Sequence, residues 1–315
     1  MRRLSRDNYF YKWSPQNKPA VRLSTGERLE VELWDHVKNS IQTENDYGPE
    51  ELELINPATG PIFVEGAEPS DAVAVRILDI KLGPIGHLQL IPGFGLLTGK
   101  VPSPVTKMVP LRDGQAILGE NIKLPLEPMI GLVGCTPAEE GPYTIQCGDF
   151  GGNMDNKDVR VGSVVYLPVL VHGALIGMGD AHALMGDGEV SCTGIEVDAE
   201  VTVQIDLIKG LRINRPIIET PDAWVTTGFS DSLERALAIA GEDMAHWLAE
   251  HVGLSLGEAV MLLSAVGDFR ISQAVPNGAP DLNKSVRVRV PKEPIFSSSA
   301  ENSSAAQPVR QERED

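Results

Sequence analysis

The chain is short of cysteine, of aromatic residues, of basic residues and of long apolar runs, and each scarcity closes a class of explanation. Three cysteines among 315 residues, at 135, 147 and 192, are an odd number without CxxC spacing. Neither a disulfide framework nor a thiolate zinc site is encoded, and buried inert thiols are expected. The longest apolar run, Val164 to Val171, is interrupted by Pro168 and falls well short of the roughly 20 residues that a membrane-spanning helix needs. After Arg2, Arg3 and Arg6 the chain reads Asp7-Asn8-Tyr9-Phe10-Tyr11-Lys12, which lacks the apolar core of a signal peptide; a cytoplasmic protein is the expectation. With 27 Lys plus Arg against 44 Asp plus Glu, the formal charge is −17. That field repels phosphate backbones and anionic lipid, so neither nucleic acid nor a membrane is an expected partner, whereas cations and small neutral molecules are compatible with it.

What the chain does have is turn residues, 31 Gly and 23 Pro, between short extended runs. Val21-Arg22-Leu23, the alternating stretch Leu29 to Leu33, Val73 to Leu78, Val159 to Val171 and Glu196 to Ile208 read as strands. In the last of these, Glu196, Asp198, Glu200, Thr202, Gln204 and Asp206 take every second position, so one solvated face is expected. Residues 83–130 read as long loops with short strands. Helix signals come late: Asp231-Ser232-Leu233-Glu234 starts one helix and Gly253 stops it, and Ser255-Leu256-Gly257-Glu258 starts a second that Gly267 stops. Phe269 to Val275 and Val286 to Val290 read as closing strands. The expected fold is mainly β, a sandwich-like or barrel-like composite with a short helical pair near the C-terminus. Residues 1–295 form one composite domain, divisible into an N-terminal β part (1–82), a loop-rich part (83–130), a site-bearing β part (131–215) and a part with helices and closing strands (216–295). Residues 296–315 have too little hydrophobicity to offset ordering entropy, and a disordered tail is expected there.

The chemistry-bearing residues concentrate between Gly151 and Glu196: Asn153 and Asp155, then Asp180 and His182, then Asp187 and Glu189, and Glu196. On an extended backbone Asp180 and His182 share a face, because side chains alternate with a period of two. They could chelate one cation with help from the nearby carboxylates, and imidazole with carboxylate oxygens suits zinc or another divalent first-row ion. Spacing alone leaves a second reading level with this one: turn carboxylates around Gly186 and Gly188, and a satisfied core histidine. His246 and His251 are expected on a solvated helix face, one residue off the spacing of an inverted zinc-protease motif.

Several ordered segments resemble the acetamidase/formamidase family. They are Asn56-Pro57-Ala58-Thr59-Gly60-Pro61-Ile62-Phe63-Val64-Glu65-Gly66-Ala67-Glu68-Pro69, Pro125-Leu126-Glu127-Pro128-Met129-Ile130-Gly131, Gly151-Gly152-Asn153-Met154-Asp155, Gly162 to Val169, Gly179-Asp180-Ala181-His182-Ala183 and Gly186-Asp187-Gly188-Glu189-Val190. The similarity runs over about residues 18–292. It implies a mainly β fold with a helical excursion, a metal-containing site and hydrolysis of formamide-like or acetamide-like substrates. Family members often carry His before the Gly-Gly-Asn-Met-Asp segment, where this chain has Phe150. They also often carry a polar cluster after the first strands; here Asp35 and His36 stand in that stretch, and a solvated loop is the expectation for both.

With that resemblance, the expected roles are Asp155, Asp180, His182 and Asp187 around a divalent ion, zinc with or without calcium beside it, and Glu196 as an alternative ligand. Glu189 serves as general base and then acid, and Asn153 orients the amide. The partner is a small amide, and family analogy adds a homodimer or larger homo-oligomer. Two rival readings remain: a cysteine-nucleophile amidase using Cys147 or Cys192, and a non-catalytic protein that binds a small amide or a cation.

Overall fold

In Glu27–Leu33 and Ala199–Ile208 the inward side chains Leu29, Val31 and Leu33, and Ala199, Val201, Val203 and Ile205, are buried while their neighbours face outward. Strands with one apolar face must cover it, and in the computed structural model of this chain, which describes residues 1–49, 51–274 and 283–296, they do so by stacking two sheets. A nine-stranded sheet runs in the spatial order Arg2–Leu4, Glu27–Leu33, Ala199–Ile208, Ala72–Leu82, Val164–Pro168, Ile217–Glu219, Ala223–Ser230, Lys284–Pro291 and Asp268–Gln273. A 12-stranded sheet runs Ile122–Pro125, Gln115–Gly119, Val105–Arg112, Ile85–Leu90, Glu196–Val197, Ile176–His182, Met129–Cys135, Gly151–Asn153 and Cys147–Gly148, with Ala58–Val64 branching off Ile176–His182 and pairing Tyr9–Phe10 and Val21–Leu23. One hydrophobic core is shared by both, with Val31, Val75 and Val203 from the first and Ile62, Val133 and Ile176 from the second. Fully burying each such side chain stabilises the fold by about 1.5–3 kcal/mol. The sandwich reading holds; neither sheet closes into a barrel among the described residues.

Two helices, α1 (Leu233–Val252) and α2 (Leu256–Val266), cover the outer face of the first sheet. Ala240, Met244 and Leu248 of α1 and Leu263 of α2 pack on Trp224, Val286, Val288 and Val290. Their ends are where the sequence puts them. The Ser232 side chain accepts from the Arg235 amide, Gly253 leaves α1 in the left-handed conformation at φ 77°, and Ser255 and Glu258 form a reciprocal capping box. No single helix is long and apolar enough to cross a membrane. Residues 83–130, read as long loops with short strands, hold the strands Ile85–Leu90, Val105–Arg112, Gln115–Gly119 and Ile122–Pro125, which form one end of the 12-stranded sheet. Phe296 packs beside the second core cluster, and the rest of the expected tail lies outside the described residues.

Register is what positions chemistry here. Across three neighbouring strands of the second sheet, His182 lies opposite Glu196 and Glu196 opposite His87. Directly opposed residues project to one face, so an imidazole, a carboxylate and a second imidazole form a row.

Candidate active site

The row is buried: His182 is 0% exposed, Glu196 2% and His87 2%. Asp180, from the same strand as His182, joins it with Oδ1 3.5 Å from His182 Nε2, and Glu196 Oε1 lies 3.0 Å from that nitrogen. Asp155 arrives from the segment that follows Gly151–Asn153. Its Oδ2 accepts from Asn153 Nδ2 at 2.9 Å and from Gln273 Nε2 at 2.6 Å. Glu189 accepts from the same Gln273 Nε2 at 3.1 Å. Asn56 Nδ2 donates to Asn153 Oδ1 at 2.8 Å and to Asp180 Oδ2 at 3.2 Å. On the far side of Glu196, His36 Nδ1 lies 3.5 Å from Oε2, and His36 Nε2 meets Gln89 Oε1 at 3.2 Å.

Six of the seven residues singled out in the sequence thus come together: Asn153, Asp155, Asp180, His182, Glu189 and Glu196. Asp187 does not. Its carboxylate is 2.8 Å from the buried Arg287 guanidinium and 3.6 Å from Lys157 Nζ, an ion-pair partnership that holds it outside the cluster. Two expectations of exposure are corrected as well. Asp35 and His36 are each 4% exposed, because Asp35 Oδ1 accepts the amides of Val37 and Asn39 and folds the loop onto the site. Glu196 is not on the solvated face read from its alternating run; it belongs to a separate strand of the other sheet. Sequence reasoning assigned no site role to Asn56, Gln89 or Gln273. Asn56 had a signal, an Asn before Pro57, and it takes up φ 59°; Gln273 had none.

Four carboxylates, Asp155, Asp180, Glu189 and Glu196, are buried together, and no Lys or Arg lines the cavity above them among the described residues. Burying like charges without compensation is costly, and the protonation pattern shows how these groups respond. Burial drives the Asp155 and Glu196 carboxyls well above their ordinary range, and the neighbouring carboxylates add to the rise. Burial alone pushes His182 down, but Glu196 and Asp180 outweigh it and hold the imidazole well above its usual pKa. Burial also pushes Asp180 up, yet His182 wins and leaves it below the ordinary value. Glu189 is pushed up to about 7, by burial first and with Asp180 adding to the rise. Burial pushes His36 and His87 down to about 4, so both are neutral at pH 7.

The donor set fits a divalent metal. Asp155 Oδ1, Glu196 Oε2 and both His182 nitrogens are buried without a hydrogen-bond partner, His182 Nε2 lying close to two carboxylates but in no hydrogen-bonding direction. Asp155, Asp180 and His182 form one set with ligand atoms within 4.8 Å of one another, and His182, Glu189 and Glu196 form a second. Glycine makes the room. A Cβ on Gly131 would stand 2.4 Å from Asp155 Oδ1 and 2.7 Å from Asp180 Oδ2, and one on Gly194 would stand 2.6 Å from His182 Nδ1. Cysteine chemistry fits poorly: burial raises the thiol pKa of Cys147 and Cys192, and the Glu189 carboxylate pushes Cys192 further, whereas a nucleophilic thiol needs the opposite shift.

The sequence profile of the Acetamidase/Formamidase family matches residues 2–142 and 138–275. The chain belongs to this family. An acetamidase of Mycolicibacterium smegmatis is 27% identical over 63% of the chain and 66% of its own length, just under two thirds. A formamidase of Methylophilus methylotrophus is 26% identical over 76% of the chain and 75% of its own. Among solved structures, a predicted acetamidase/formamidase from Thermoanaerobacter tengcongensis superposes with a TM-score of 0.89 at 38% identity, covering 94% of this chain and 97% of that one. An acetamidase from Bacillus halodurans gives 0.88 at 36%, covering 92% and 97%. Within this acetamidase/formamidase chain, Phe150 is not among the described residues that line the cavity. It packs with Trp13, Ala58 and Leu132, its ring 5.4 Å from that of Trp13.

Proposed function

We propose that the chain hydrolyses the C–N bond of uncharged aliphatic amides, formamide and acetamide being the smallest, with a divalent ion, zinc in first place, held by Asp155, Asp180 and His182 and with Glu196 as a further ligand. The observation that carries this reading is the buried set of unpartnered ligand atoms in a chain of the acetamidase/formamidase family. When bound, the ion supplies Lewis acidity at the carbonyl oxygen and lowers the pKa of water to about 7. Glu189 takes the proton of the attacking water and returns it to the departing nitrogen, a role that needs a carboxyl poised near neutrality. Gln273 holds Glu189 and Asp155 in a fixed relation by donating to both. Asn153 is oriented by Asn56 and Asp155 and keeps one amide proton and one lone pair for the substrate. Cytoplasmic location and homo-oligomeric assembly belong to the same reading and are checked by fractionation and sedimentation.

The test is ammonia release from formamide and acetamide by untagged protein, before and after chelation and after adding back zinc. Activity lost to the chelator and restored by zinc is expected. Full activity in metal-free protein refutes the metal assignment, and absence of turnover with metal bound refutes the hydrolase reading.

A further inference from the structure

The cavity above the acidic cluster is much larger than the smallest amides require. Its volume is about 420 Å³, inside the range of roughly 300–1,000 Å³ typical of pockets that take drug-sized molecules. Acetamide has only two carbons, an oxygen and a nitrogen. The polar lining is largely the cluster already described, and the remainder of the wall is mostly apolar. Tyr47, Leu52 and Ile55 come from the segment before Asn56, Leu90 and Phe94 from the end and sequel of Ile85–Leu90, and Ile145 from the approach to Cys147. No Lys or Arg lines it among the described residues, so these residues offer no cation to pair with a second carboxylate or a phosphate. An apolar wall with convergent polar groups at one end orients a molecule that has one carboxamide and one apolar body.

We propose that the preferred substrates are primary amides with an uncharged apolar chain or ring of roughly four to eight carbons, a size in keeping with ligand cavities of this volume. This rests on the amidase reading above and adds the substrate class. The carboxamide lies at the acidic cluster and the apolar body against Leu52, Phe94 and Ile145. Water adds to the carbonyl carbon, the C–N bond breaks, the nitrogen leaves as ammonia with the transferred proton, and the acyl part leaves as the carboxylic acid. The apolar wall raises kcat/KM because each methylene moved out of water into it strengthens binding that the transition state retains.

The experiment measures ammonia release by the full chain, loaded with zinc, from acetamide, butanamide, hexanamide and octanamide. The expected kcat/KM rises about fourfold per methylene until the wall is filled, roughly 250-fold over the four methylenes from acetamide to hexanamide. Ile145→Trp fills the cavity and lowers the hexanamide-to-acetamide ratio by about tenfold or more; Phe94→Ala strips wall instead and lowers the ratio in the same direction, so the inference does not hang on one variant folding. A series that is flat, or that falls from acetamide onward, overturns the inference and leaves amide hydrolysis standing. If no amide turns over, calorimetric titration with the same series decides: affinity that climbs about fourfold per methylene refutes hydrolysis and keeps the apolar-chain pocket, and equal affinities refute both.

Discussion

Adding one methyl group under the carboxylates tests whether these oxygens do the work assigned to them. In Gly131→Ala the new Cβ would stand 2.4 Å from Asp155 Oδ1, against the 3.4 Å at which ordinary contact begins, and 2.7 Å from Asp180 Oδ2, so one or both carboxylates must retreat by up to about 1 Å. A displacement of about 1 Å in a catalytic constellation costs roughly 10²-fold in rate, and moving two ligand oxygens also weakens metal retention. Overpacking itself costs about 1–3 kcal/mol of stability. Gly134→Ala, on the same strand, is the control: its Cβ would meet Gly152 N at 2.6 Å and Phe150 O at 2.9 Å, a comparable steric burden on backbone atoms instead of ligand oxygens. The assays are kcat/KM for acetamide per folded molecule, metal content after gel filtration, and the melting temperature. Both variants should lose stability, and Gly131→Ala alone should lose metal and about two orders of magnitude in kcat/KM. Parent-like kinetics and metal content in Gly131→Ala would refute the assignment of Asp155 and Asp180.

Other outcomes follow from the same geometry. Glu189→Gln should keep fold and metal while losing about 10²–10⁴ in turnover. Because a base must be ionised, and burial holds Glu189 up to about 7, activity of the parent should fall on the acid side of about 7. A cation bound nearby favours the ionised carboxylate and draws that limb lower, and the pH–rate profile of Glu189→Gln should lack it. His182→Ala removes the residue common to both ligand sets, so elemental analysis should show lost metal, and metal should no longer raise its melting temperature. Asp187→Asn should turn over at the parental rate and lose no more than about 1 kcal/mol of stability, the usual worth of a partly exposed ion pair, since Arg287 keeps Asp158 at 2.9 Å; a collapse of kcat would return Asp187 to the site.

Local signals were legible in the sequence because they act over a few residues: Ser232, Gly253 and the Ser255–Glu258 box end helices by hydrogen bonds within a turn. Period-two burial likewise exposed the central strands. Hidden were features that depend on distant pairing. Val105–Arg112 buries only Thr106 and Val109, three residues apart, and Ile122–Pro125 is exposed throughout, so neither shows a clean alternation and both read as short pieces within loops. The polar positions from Glu196 to Asp206 look continuous, yet the chain passes from one sheet to the other between Val197 and Ala199; Glu196 is therefore turned into the site while Glu200 pairs with Arg3 on the surface. The site cluster was legible in its ligand types because Asp180 and His182 share a strand. Gln273 and His36 join it only through tertiary folding, which no spacing encodes, and Asp187 looked like a ligand because its partner Arg287 lies far along the chain.

Asn56, Asp155, Asp180, Glu189 and Cys192 adopt φ values of 59°, 45°, 56°, 46° and 80°, a region where a side-chain-bearing residue costs on the order of 1–3 kcal/mol. The most direct ways to relieve backbone strain in this protein thus run through the residues that give it a purpose: Asp180→Gly would relax a backbone and remove a ligand carboxylate in one step. A laboratory selection that rewards heat resistance alone will drift toward well-behaved, inert proteins. Turnover has to be scored in every round, and a hyperstable isolate should be sequenced first at these five positions.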